Sequence, residues 1–115
     1  MRFEATEVGG VPACRLAERG IVIASGQDAL TLVAESGCER VILARENLHP
    51  DFFDLRTGLA GEVLQKFVIY GLRLAIVGDF RHVGSRSLRA LIHESNRTGH
   101  VVFAGSEEEV ARLWK

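Results

Sequence analysis

Only two cysteines occur in the 115 residues, Cys14 and Cys38, and they stand far apart. A disulfide-stapled scaffold or a zinc site would need more of them, in close pairs, so both are expected as reduced, unbridged side chains that fill space as small apolar groups. Lysine is almost missing: of 14 basic residues all but Lys66 and Lys115 are arginine. Fifteen acids leave a net charge of -1, which denies the chain the electrostatic footprint of a nucleic-acid or anionic-membrane binder. Proline appears twice, and no linker or low-complexity stretch interrupts the chain. No apolar run approaches the roughly 20 residues of a spanning helix. Glu4 falls where a secretory leader keeps its apolar segment, so a cytoplasmic protein is expected.

Catalytic and ligand motifs are sparse as well. His49, His82, His93 and His100 are scattered without the spacing of a metal-binding pair. Twelve glycines include neither a phosphate-binding loop nor a dinucleotide fingerprint. Asp79, His82 and Ser85 lie close in sequence, but no nucleophile elbow surrounds the serine. No cofactor is expected, and the balance is against an enzyme.

Apolar residues at 47% and charged residues at 25% describe an ordinary globular chain of one domain, residues 1–115. Gly9-Gly10 between two apolar-rich runs, Phe3–Val8 and Val11–Ala17, signals a hairpin, so the first strand should be antiparallel at a sheet edge. Ser25 can cap a helix that carries Ala29, Leu30, Leu32 and Val33 and ends at Gly37. Val41–Ala44, Leu74–Val77 and Val101–Ala104 are unbroken apolar runs, the mark of parallel strands buried on both faces. Between them, a helix is expected from an N-cap at Thr57 to about Tyr70, with core face Leu59, Val63, Phe67 and Tyr70. Ser87 opens another helix, and Ser106 with Glu109 caps a last one whose Val110, Leu113 and Trp114 face inward. The order is β-β-α-β-α-β-α-β-α, an α/β domain with a mixed, mostly parallel five-stranded sheet.

In such sheets ligands gather beyond the C-terminal strand ends. The polar residues there are Arg45, Glu46 and Asn47 after the third strand, then Asp79 and Arg81 after the fourth, with Asp54, Arg56 and Thr57 at the start of the long helix. Phe52-Phe53 in the same connection read as a lid on the core. Thr57 is the most interesting hydroxyl. As an N-cap it would be replaceable by aspartate, and the free N–H groups beyond it would also suit a phosphate. Gly58 and Gly61 lack side chains and leave room for a partner backbone.

The stretch Asp51-Phe52-Phe53-Asp54-Leu55-Arg56-Thr57-Gly58-Leu59-Ala60-Gly61-Glu62-Val63-Leu64-Gln65-Lys66-Phe67, with Leu74-Ala75-Ile76-Val77-Gly78-Asp79-Phe80 and Glu94-Ser95-Asn96, resembles a bacterial family of unknown function, the one numbered four thousand one hundred and eighty. That resemblance spans nearly the whole chain and supplies no mechanism. More distantly, the element order is similar to the sulfate-transporter and anti-sigma-factor-antagonist domain. That family carries Asp-Ser-Ser-Gly-Leu-Gly where a helix starts after the third strand. Asp54-Leu55-Arg56-Thr57-Gly58-Leu59-Ala60 lies in the same place, so the resemblance implies that Thr57 matches the phosphorylated serine. Asp54 is one residue further off than the family's aspartate, and Leu55-Arg56 depart from its pattern.

Two functions are therefore expected to compete. One is a small regulatory module that binds a partner protein, or a second copy of itself, through the rim of Asp54, Arg56, Thr57, Gly58 and Gly61. The other is a small-molecule site or enzyme built on Glu46, Asn47, Asp54, Asp79 and Arg81. A deep strand-end pocket with converging carboxylates would favour the second, and a shallow, partly apolar surface over the helix would favour the first.

Overall fold

Two glycines in the left-handed region, Gly9 (φ 59°) and Gly10 (φ 80°), turn the chain between β1 (Phe3–Val8) and β2 (Val11–Leu16). Glycine takes this left-handed conformation at no steric cost, and the resulting hairpin twist matches that of the strands it joins. The structure, a computed structural model, describes residues 1–115. After β2 the elements run α1 (Gly26–Ser36), β3 (Arg40–Ala44), α2 (Leu59–Ile69), β4 (Arg73–Val77), α3 (Arg86–Thr98), β5 (Val101–Ala104) and α4 (Glu107–Leu113). No helix is long and apolar enough to cross a membrane.

Local chemistry explains most boundaries. Ser25 accepts the Asp28 N–H at 3.1 Å and Gly37 closes α1 in the left-handed conformation. Ser106 accepts the Glu109 N–H at the head of α4. The third helix begins slightly before the expected Ser87, because Ser85 accepts the Leu88 N–H at 3.1 Å and is the cap. The second helix also differs from expectation. Its N-cap is Gly58, and its C-cap is Tyr70, whose φ of -90° and ψ of 4° leave the helix. Tyr70 therefore swings off the core stripe and is 56% exposed.

The sheet order is β1-β2-β3-β4-β5, with β1 antiparallel to β2 and every other pair parallel. Cys14, Val41, Leu74 and Val101 form one row across it. Alternate residues point to opposite faces, so each buried strand serves two cores. Val41, Leu43, Leu74, Ile76, Val101 and Phe103 meet Ala29 and Leu32 of α1, Ala60, Val63 and Phe67 of α2, and Leu91 and Ile92 of α3. Ile42, Ala75 and Val102 meet Val110 and Leu113 of α4, and Trp114 just beyond it, on the other face. Three helices thus cover one side and a single short helix covers the other.

The two cysteines correct the sequence reading. They are not separate thiols: their sulfurs lie in bonding contact, with Cα atoms 6.2 Å apart. Sequence distance misled here because the β2–α1–β3 crossover brings the chain back beside its starting strand. Cys14 pairs in register with Val41, and Cys38 sits in the turn that leads into that strand.

Arg15 fastens α4 to β2. Its guanidinium grips Glu107 with two hydrogen bonds of 2.7 and 2.8 Å and donates to Glu4 at 3.2 Å. That hydrogen-bonded guanidinium holds the Glu107 carboxyl below its ordinary value of 4.5. A depressed carboxyl stabilises the fold above the unfolded pKa, and that contribution fades as pH falls through the folded one. Glu107→Gln should therefore cost about 0.5–1 kcal/mol at pH 7, the range for a half-exposed pair. Melting curves of parent and variant should draw together as the pH falls from the ordinary glutamate range through the lower folded value.

Candidate functional site

Three short 3-10 turns, Arg45–Asn47, Pro50–Phe53 and Leu55–Thr57, carry the chain from β3 to α2 along the C-terminal rim of the sheet. Asn47 is wholly buried there. Its amide donates to the Glu18 and Gly20 carbonyls at 3.0 and 2.9 Å, and its Oδ1 accepts the Ala44 N–H at 2.8 Å. Both amide protons and the carbonyl oxygen are engaged by backbone groups, so the buried side chain ties the loop before α1 to the end of β3 and faces no ligand.

Arg45 lies over two adjoining aromatic rings, with its guanidinium carbon 5.0 Å from the Phe53 centroid and 5.1 Å from that of Phe80. It also donates to the Asp79 carbonyl oxygen. A Cβ on Gly78 would stand 2.6 Å from the Arg45 Cβ, so glycine is needed for the strand to pass this side chain. Phe80 packs edge-on against Phe103 at 5.5 Å, and Phe53 packs against Phe52 at 5.0 Å. Phe52 is fully buried, as a core lid should be.

The aspartates of this rim are neutralised locally. Asp54 accepts the Arg56 backbone N–H at 3.2 Å and its guanidinium at 3.0 and 2.9 Å. Asp79 makes the same clip with Arg81, three bonds of 3.0 Å each. In both, the arginine two residues on holds the carboxyl below the usual carboxylate range. Such a carboxylate stays ionised and grips no proton near neutral pH, which makes it a poor general acid or base.

The five strand-end candidates do not converge. Asp79 and Arg81 edge an open cleft of about 540 Å³ between α3 and the β5–α4 turn, where Glu109 supplies a second carboxylate. Glu46 lies with Asp79, Arg45 and the exposed Ile21 on another open cleft of about 550 Å³. Asp54 lines neither, and Asn47 points inward. The strand order also never reverses, so the crevice that a reversal opens in other α/β sheets is not formed. No group of three or more His, Cys, Asp or Glu side chains is arranged to hold a metal ion.

Thr57 ends the last 3-10 turn instead of capping α2 in its own right. Its hydroxyl accepts the Leu59 N–H at 3.2 Å and shares its one proton between the Asp51 and Asp54 carbonyls, at 2.6 and 2.9 Å. An aspartate in its place would lose the bonds to those carbonyls, since a carboxylate has no proton to offer them. From this rim α2 turns a continuous face outward. Gly61, Glu62, Gln65, Val68 and Ile69 are all exposed, and nothing of the chain stands within 4 Å of where a Gly61 Cβ would be. Val68 and Ile69, at 60% and 62%, are the most exposed large apolar residues of the chain, and Tyr70 adjoins them. The signal was legible: both fall outside the stripe of Leu59, Val63 and Phe67.

A family model described as Domain of unknown function (DUF4180) matches residues 8–113. The chain belongs to that family. No curated protein and no solved structure matches it. The DUF4180 span takes in both Asp-x-Arg clips, Thr57, the whole of α2 and both cysteines.

Proposed function

We propose that this chain is a small protein-interaction module that docks a partner on the outward face of α2, between the Thr57 rim and Tyr70. The observation that carries the reading is the apolar run Val68, Ile69 and Tyr70, left 56–62% exposed at the end of a helix whose other apolar residues are buried or, for Leu64, half-buried. Leaving such a cluster in water gains nothing for the fold, whereas covering it stabilises a complex. Glu62 and Gln65 supply a polar border, and Gly61 lets a partner backbone come close. The anti-sigma-antagonist resemblance points to the same helix. Against a small-molecule site stand the self-neutralised carboxylates and the inward-facing Asn47.

Site-specific photo-crosslinking in the native cell tests this reading, with the crosslinker at Gln65 and, as control, at Arg89 on α3. A discrete adduct from position 65, missing at 89 and lost when Val68→Asp and Ile69→Asp are combined, is the expected result. Both substitutions are at exposed positions, so the melting temperature should move by only a few degrees. The adduct mass separates a second copy of the chain from another protein. Equal adducts at both positions, or adducts that survive the double substitution, overturn the proposal.

A further inference from the structure

We infer that Cys14 and Cys38 form a reversible redox pair, closed by thiol–disulfide exchange with a low-molecular-weight disulfide and opened by the matching thiol. Their Cα separation of 6.2 Å lies inside the span a disulfide bridges, so the bond closes on this backbone. The fold does not depend on that bond. Hydrogen bonding already pairs β2 with β3 at Cys14 and Val41, and α1 is anchored by Ala29 and Leu32, both fully buried. Neither cysteine is among the 17 buried residues of the main core, and Cys38 only packs against its edge. Reduced and oxidised chains therefore share one architecture, and the sulfur chemistry can run in the folded state.

The two thiols differ in access. Cys14 is buried in β2, whereas Cys38 is half-buried in the turn after Gly37. A hollow of about 340 Å³, edged by Pro12, Glu39 and Arg40, opens onto the pair. Cys38 is accordingly the attacking thiol. Its thiolate displaces one half of the small disulfide, forming a mixed disulfide and releasing one thiol. Cys14 then loses its proton and attacks the Cys38 sulfur, and the second small thiol leaves. The chain gives up two electrons and two protons, and one small disulfide becomes two thiols. With no other cysteine in the chain, only Cys14 can resolve the adduct. Closure ties the end of α1 to β2, and α1 packs directly on α2.

The full chain, equilibrated at a series of reduced-to-oxidised glutathione ratios, quenched in acid and alkylated, gives the populations by intact mass. The expected result is one transition between a doubly alkylated chain and an unalkylated one lighter by the lost hydrogens. Both forms should be folded, the oxidised one melting roughly 10 °C higher. Cys14→Ser should accumulate a glutathione adduct on Cys38 at least tenfold above that of Cys38→Ser. A chain that unfolds on reduction would make the bond a structural staple and overturn the inference. So would the failure to form a disulfide at any ratio, or equal adducts in the two variants. Neither experiment involves the α2 face, so this result and that of the crosslinking stand apart.

Discussion

Ile76→Asp is expected to lower the melting temperature by roughly 20 °C or to leave the chain unfolded at room temperature. Ile76 is fully buried in β4, the strand flanked by β3 and β5, and its side chain belongs to the core beneath α1, α2 and α3. An aspartate there loses the apolar contacts and also strips a carboxylate of water, with no cation in reach. The cost is on the order of 4–5 kcal/mol, a large fraction of the 5–15 kcal/mol that holds a domain together. Ile76→Val, which removes one methylene, should cost only about 0.5–1.5 kcal/mol and serves as control. Thermal melts of both variants decide the matter. An aspartate variant that melted beside the valine one would mean that β4 is not held between two helical layers.

Asn47→Ala should be the second most damaging change, at about 3–5 kcal/mol, because it strands three backbone partners at once. The Ala44 N–H and the Glu18 and Gly20 carbonyls all end at this side chain. Its backbone carbonyl also accepts the Val22 and Ile23 N–H groups, at 2.8 and 2.9 Å. Asn47→Asp should be no better at pH 7. It keeps the acceptor for Ala44 but turns negative oxygen toward two carbonyls that need a donor. Urea titration of the two variants against parent checks this. A loss below about 1 kcal/mol in both would show that water replaces the side chain.

Asn47 also marks the limit of what the residues reveal in sequence. A polar residue just beyond a strand end reads as a rim group, and only the loop of residues 18–23, brought in from elsewhere, makes it internal. The buried strands were legible because two-sided burial leaves no alternation to misread. The helix ends at Ser25, Gly37 and Ser106 were legible because caps act within four residues. Where geometry crossed longer distances the pattern failed. Cys14 and Cys38 meet through a crossover that spacing does not express. Tyr70 keeps the helical period of Phe67, yet the helix has ended before it. Asp54 and Asp79 were legible as rim carboxylates, and Arg56 and Arg81, two residues on, already offered the partner that quenches each.

The one-way strand order bears on how the chain is made. Each parallel strand pairs with the strand that precedes it in the chain, so none waits for a partner not yet synthesised. The hairpin can form as soon as it leaves the ribosome, and β3, β4 and β5 can then be laid down in turn, each after closure of a single crossover loop. Emerging chains would expose one growing edge at a time. That edge finally rests on β5, a strand of four residues, too short to template much pairing with a neighbouring molecule.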